Sequence, residues 1–89
     1  MSVPVIKDFY ADWCGPCKMQ TPILDALKQK YGDKVEIEKI DVDAHMALSA
    51  QYGIRVVPTL VIEKEGKVVQ RIEGVADLST LESYLGPIL

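Results

Sequence analysis

Apolar residues fall into short runs along the chain, and the spacing within each run predicts its secondary structure. The run from Val3 to Tyr10 is rich in β-branched and aromatic residues, which is typical of a buried strand. From Pro16 to about Tyr31, apolar residues recur at helical spacing, and Gly32 is expected to end this helix. The segment from Val35 to Val42 begins with alternating apolar and polar residues, so we predict a second strand.

The second half of the chain predicts a short helix, a hairpin and a final helix. Asp43 is a candidate N-cap for the short helix, and Glu65-Gly66 predicts a tight turn between two strands. Met19 and Met46 are expected in the core. The predicted elements here are a helix over Asp43 to Tyr52, strands over Thr59 to Lys64 and Lys67 to Glu73, and a helix over Asp77 to Leu85.

The resulting order β-α-β-α-β-β-α predicts one α/β domain over residues 1–89. The first β-α-β unit requires a parallel strand pair with a right-handed crossover, and the hairpin adds an antiparallel pair. We therefore expect a mixed four-stranded sheet flanked by three helices.

Composition excludes several classes of function. The 89 residues carry 10 basic and 13 acidic side chains, and without a basic stripe the chain is not expected to bind nucleic acid. No segment approaches the ~18 apolar residues of a membrane span, and no signal peptide is visible at the start. We expect a cytoplasmic monomer without membrane contact, unless a leader or anchor has been removed.

Two cysteines, Cys14 and Cys17, stand at the predicted start of the first helix. Residues i and i+3 share a helix face, so the two sulfurs can form a disulfide. Such a bridge closes a loop of about four residues and stabilises the folded protein by only roughly 2 kcal/mol. So small a contribution to stability suits a bond that is broken and remade. The helix N-terminus and Lys18 favour a thiolate at Cys14. We expect Cys14 to be the exposed attacking thiol and Cys17 the buried resolving thiol.

Two other interpretations of this cysteine pair stay open at this point. A zinc site needs about four ligands, whereas the chain offers two cysteines and the distant His45, so no bound metal is expected. An inert buried pair is the other interpretation. Gly15 and Pro16 between the cysteines argue against it, because they leave the sulfurs accessible and stiffen the turn.

Residues 8–19 (DFYADWCGPCKM) resemble the active-site signature of the thioredoxin family. The family usually begins with a further strand and helix, so this chain is similar to a minimal, short thioredoxin. Val56 and Val75 stand where glycine and alanine are common, and both border the substrate groove that the resemblance implies. The other matches, spread over the whole chain, are Pro22, Lys39 to Asp43, Tyr52 to Arg55, Val57 to Thr59, and Gly74.

The resemblance implies roles for residues outside the cysteine pair. Asp8 would be a buried acid that relays a proton to and from Cys17, with a water-facing strand-edge residue as the alternative. Lys39 would tune Asp8 electrostatically, or would be an ordinary surface lysine. Pro58 would follow a cis peptide bond and lie against the two sulfurs.

The resemblance also implies an apolar rim around Cys14 that binds the substrate. The backbone of Val57 would pair with an extended target segment. Trp13 is expected to be exposed in this rim, with a partly packed core position as the alternative. The rim consists of Trp13, Gly15, Pro16, Val57, Pro58, Gly74 and Val75.

The implied activity is that of a protein dithiol-disulfide oxidoreductase whose redox group is the Cys14–Cys17 disulfide. Expected partners are disulfide-containing proteins and a thioredoxin reductase, since no cofactor-binding segment is visible. A glutathione-dependent glutaredoxin is one alternative, although Gly15-Pro16, Trp13 and Asp8 count against it. A binding module of the same fold is the other alternative.

Overall fold

The predicted element order is present in the computed structural model, which describes residues 2–89. Short 3₁₀ turns follow the first and third helices, at Gly32–Lys34 and Gly86–Ile88. The elements are β1 (Val5–Tyr10), α1 (Gly15–Tyr31), β2 (Glu36–Asp41), α2 (Met46–Gln51), β3 (Thr59–Lys64), β4 (Lys67–Glu73) and α3 (Leu78–Leu85).

The strands form a mixed sheet with the order β2-β1-β3-β4. Strand β1 runs parallel to β2 and antiparallel to β3, and its pairing with β2 places Asp8 opposite Lys39. Strands β3 and β4 form the predicted hairpin. Glu65 and Gly66 have φ angles of 54° and 79°, the mirror-image turn that matches the twist of paired strands. The predicted fold class is confirmed.

Successive side chains along each strand point to opposite faces of the sheet, so a hydrophobic core forms on each face. Ile6 and Leu60 point to the face covered by α1 and α3, where Leu24 and Leu81 are also buried. Asp8 is two residues beyond Ile6 and therefore points to the same face. The opposite face is smaller and is centred on Phe9, Ile40 and Val61, with Leu48, Tyr52 and Ile54 packed against them.

Some predicted boundaries are wrong by one or two residues. Strand β1 begins at Val5 and not at Val3, because Pro4 has no N–H for the ladder. Strand β2 begins at Glu36, so the buried Val35 precedes it. The prediction for α1 is confirmed to its last residue, and the helix continues through Pro22.

Two predictions about methionines are wrong, since Met19 is 63% exposed and Met46 is 73% exposed. Met19 belongs to the apolar residues of α1, but the face of α1 that meets the sheet carries Cys17, Gln20, Leu24 and Leu27. Gln20, a polar residue, is therefore buried on this face, whereas the apolar Met19 next to it is exposed.

The predicted N-cap of α2 is also wrong. The helix begins at Met46, and His45 occupies the N-cap position. Asp43 lies outside this helix and its carboxylate is engaged elsewhere, by the indole of Trp13. Among residues 2–89, no helix is long and apolar enough to cross a membrane.

Candidate active site

Cys14 and Cys17 form a disulfide at the N-terminus of α1, with their Cα atoms 5.3 Å apart. Cys14 is the N-cap residue, and its Sγ accepts a hydrogen bond from the N–H of Cys17 across 3.1 Å. Pro16 stands in the first turn, where a missing N–H leaves no bond unmade. The Cys17 amide thus points toward Cys14 Sγ, and together with the positive end of the helix dipole it favours negative charge on that sulfur.

Cys14 is more buried than the sequence predicts, whereas Cys17 is buried as expected. Cys17 is buried, as predicted, but Cys14 is equally covered, and both are 4% exposed in the disulfide form. Tyr10, Val42 and Val57 pack around the pair. Val57, 43 residues further along the chain, contacts Cys14, and the spacing of the motif could not reveal this contact.

The Val57–Pro58 peptide bond is cis, as the resemblance implied. The carbonyl oxygen of Val57 lies 3.6 Å from Cys14 Sγ. Next to it, the N–H of Gly74 donates to the Pro58 carbonyl across 2.8 Å. These contacts bring the start of α1, the cis-proline segment and the segment after β4 into one surface.

Trp13 stands beside this surface with 72% of its side chain exposed, so the alternative of a core position is wrong. Its indole Nε1 donates to Asp43 Oδ2 across 3.0 Å. A shallow cavity of about 170 Å³ opens next to the ring, and Val42, Ile54 and Val57 form much of its apolar wall. The cavity is an apolar recess beside the disulfide.

Asp8 is buried beneath the site, with 1% of the residue exposed. The alternative of a water-facing edge residue is wrong, because β1 is an inner strand of the sheet. Neither carboxylate oxygen has a hydrogen-bond partner among residues 2–89. Burial raises the pKa of Asp8 to about 6, although the positive charge of Lys39 acts in the opposite direction.

Lys39 lies on β2, the strand next to β1, and two contacts hold its side chain at the surface. Its Nζ donates to Thr21 Oγ1 across 3.0 Å and lies 5.0 Å from the centre of the Tyr10 ring. A second cavity, of about 190 Å³, is lined by both Lys39 and Cys17. Lys39 is thus a surface residue that also acts electrostatically on Asp8.

Two residues of the site region were missed from the sequence. The sequence predicts Asp43 as a helix cap, and nothing local indicates that its carboxylate accepts a hydrogen bond from Trp13. Gln20 is polar and does not by itself indicate a core position, although Cys17, Gln20, Leu24 and Leu27 follow the spacing of one buried helix face. A polar residue on that face was the available signal.

The arrangement as a whole defines a thiol-disulfide oxidoreductase site, in which a reversible disulfide caps a helix beside an apolar, open surface. Within residues 2–89, no group of three or more potential metal ligands is present.

Comparison with known proteins places this site in a family. A family model described as Thioredoxin matches residues 1–86. Thioredoxin 1 of Synechococcus elongatus is 43% identical over 84 residues, which cover 94% of this chain and 78% of the relative. The thioredoxin of Bacillus subtilis is 45% identical over 81 residues, covering 91% of this chain and 78% of the relative.

Solved structures agree with these relatives. A mutant thioredoxin from Halobacterium salinarum superposes with a TM-score of 0.87 at 40% identity, covering 96% of this chain and 74% of that chain. The chain belongs to the thioredoxin family. It is a dithiol-disulfide oxidoreductase, and Cys14 and Cys17 are its redox pair.

Proposed function

We propose that this protein reduces disulfide bonds in other proteins, acting as a single-domain monomer in the cytoplasm. One observation carries the proposal. The sulfur that caps α1 also lies 3.6 Å from the Val57 carbonyl, so the nucleophile adjoins a backbone segment able to hold a target.

The reaction proceeds by two exchange steps in the reduced protein. The Cys14 thiolate attacks one sulfur of the target disulfide, which forms a mixed disulfide and releases the first target thiolate. The Cys17 thiolate then attacks Cys14 Sγ, which forms the Cys14–Cys17 disulfide and releases the second target thiolate. The target gains two electrons, and the cysteine pair loses them. The two released target thiolates become thiols by taking up the proton that Cys17 gives up and one proton from the solvent.

Asp8 is proposed to accept the proton of Cys17 in the second step, through intervening water. Its carboxyl lies on the face of the sheet covered by α1, and a pKa of about 6 leaves it mostly ionised at neutral pH. Lys39 supports this role, since its charge limits the rise in the pKa of Asp8. An Asp8→Asn variant should reduce insulin more slowly between pH 6 and 9, and an unchanged rate would contradict the role.

The rim is proposed to bind the target segment around the cysteine under attack. Val57 offers backbone groups for strand-like pairing, and the cavity beside Trp13 offers an apolar recess for a target side chain. Gly15 places no side chain beside Cys14, and within residues 2–89 nothing apart from its chain neighbours and the helix backbone lies within 4 Å of where one would begin. Pro16 stiffens the turn. Gly74 and Val75 bound the rim on the far side of Pro58, where Gly74 is hydrogen-bonded.

Electrons are proposed to come from a separate protein, a thioredoxin reductase, which restores the two thiols after each turnover. The chain itself uses its disulfide as the redox group, and we propose that it binds no other cofactor.

Trapping the mixed disulfide tests this proposal. A reduced Cys17→Ser variant should accumulate a covalent complex with insulin that dithiothreitol cleaves, because the resolving thiol is absent. The Cys14→Ser variant should form no such complex, since Cys14, and not Cys17, caps α1 and adjoins the Val57 carbonyl. Complex formation by Cys14→Ser, or by neither variant, would contradict the assigned roles.

A further inference from the structure

Gln20 lies one turn beyond Cys17 on α1, and its side chain is completely buried. Its Nε2 donates to the Ala76 carbonyl across 2.9 Å, and its Oε1 accepts from the Ala76 N–H across 2.8 Å. A buried amide is unfavourable unless both its donor and its acceptor are paired, and here a single residue pairs both. The two bonds attach α1 to one backbone site between β4 and α3.

The attached segment is the part of the rim that contains Gly74 and Val75. Its other end is also held, because the Gly74 N–H donates to the Pro58 carbonyl. Val57, next to Pro58, contacts Cys14 Sγ. These contacts and the chain between them form a closed path that starts and ends on α1. It runs from Gln20 through Ala76, Gly74, Pro58 and Val57 to Cys14.

We propose that Gln20 is a positioning residue for protein substrates, an inference that rests on the proposed role of the rim. By holding both backbone groups of Ala76, Gln20 sets the position of the adjacent Val75 relative to Cys14. A large target that spans the rim requires this spacing. A small disulfide that reaches Cys14 without touching Val75 does not.

The main test is Gln20→Met, which keeps the length of the side chain and removes both strong hydrogen-bonding groups. The KM for insulin should rise at least about fivefold, as expected when a distant change misplaces a binding group, while reduction of 5,5′-dithiobis(2-nitrobenzoate) stays within about twofold. The amide proton of Ala76 should exchange faster. The matched control is Gln29→Met, the same change at an exposed position of the same helix. Equal losses with both substrates, or no loss with either, would overturn the inference.

A second variant decides the question if Gln20→Met does not fold. Gln20→Glu places a carboxyl in the same buried position, where burial favours the neutral acid. A neutral carboxyl has one donor and one acceptor and can make both bonds to Ala76. At pH 5.5 the KM of this variant for insulin should be within about twofold of the wild-type value measured at the same pH. A KM raised at least fivefold in a folded Gln20→Glu protein would overturn the inference.

A change in the rim itself separates this inference from the proposed function. Val75→Asp should raise the KM for insulin directly, because a charge replaces an apolar contact. If Val75→Asp leaves that KM unchanged, the proposed role of the rim fails. If Val75→Asp raises it and Gln20→Met does not, the rim stands and the role of Gln20 fails.

Discussion

The indole N–H of Trp13 donates to Asp43 Oδ2 across 3.0 Å and thereby joins the residue before Cys14 to the segment between β2 and α2. The ring is largely exposed, so packing on its own side of the surface does little to orient it. The hydrogen bond therefore holds the ring beside the apolar cavity.

Replacing Asp43 with alanine should loosen the Trp13 ring without harming the fold. An exposed hydrogen bond of this kind contributes about 1 kcal/mol or less, so the free energy of unfolding should change little. The KM for insulin should rise by about twofold to fivefold, because the wall of the cavity becomes mobile. Steady-state kinetics and the near-ultraviolet circular dichroism of the single tryptophan check this. Asp33→Ala, an exposed acid in the 3₁₀ turn after α1, is the control and should change neither quantity.

Replacing Asp8 with asparagine should stabilise the protein at high pH. The pKa of Asp8 is raised from 3.8 to about 6, so between these values the folded protein binds more protons than the unfolded chain. Stability therefore falls as pH rises through this window and stays lower above it. Asparagine removes the effect, and the variant should be more stable by up to about 3 kcal/mol at pH 8 and nearly unchanged at pH 4.

Denaturant unfolding of the oxidised protein at pH 4 and pH 8 measures this difference. Asp12→Asn, four residues along the chain and exposed, is the matched control. A gain for Asp8→Asn that is the same at both pH values would show that burial does not raise the pKa of this carboxyl.

Replacing Lys39 with methionine should raise the pKa of Asp8 further. The positive charge of Lys39 is the influence that favours ionised Asp8, and methionine keeps most of the length of the side chain without the charge. A carboxyl-carbon NMR titration of Asp8 follows the change directly. Lys34→Met, in the exposed 3₁₀ turn after α1, should leave the titration where it is. Identical titrations in the two variants would exclude Lys39 as the tuning charge.

Replacing Arg71 with leucine should destabilise the end of α2. The guanidinium donates to the carbonyl oxygens of Tyr52 and Gly53, which lie at and just beyond that helix end and otherwise lack helical partners. Loss of both bonds should lower the free energy of unfolding by about 1–3 kcal/mol, and Arg71→Lys should recover part of it, since lysine cannot reproduce the fork. Urea unfolding measures both variants, and Lys67→Leu on the same strand serves as control. A loss no larger than the control's would contradict this.

Local chemistry explains which predictions from the sequence are correct. The Glu65-Gly66 turn and the end of α1 at Gly32 depend on residues within a few positions of each other, and both are confirmed. The predicted disulfide between Cys14 and Cys17 likewise depends on one helical turn. Such features require no knowledge of the tertiary packing.

The errors arise where a contact with a residue distant in the sequence determines the local structure. Gln20 is buried because Ala76, 56 residues away, pairs with its amide. Asp43 accepts a hydrogen bond from Trp13 and does not cap α2, and Val57 contacts Cys14. Hydrophobic spacing also cannot tell whether Met19 faces the sheet or the solvent.

Capping of α1 by the sulfur of Cys14 has a consequence for observing the protein at work. A thiolate accepts a hydrogen bond strongly, whereas a sulfur in a disulfide accepts one weakly. The Cys17 amide donates to that sulfur. The NMR chemical shift and the exchange rate of this amide proton therefore depend on the oxidation state of the cysteine pair. One backbone site thus reports each exchange step without an attached label, and the first turn of the helix is held most firmly when the protein is ready to attack.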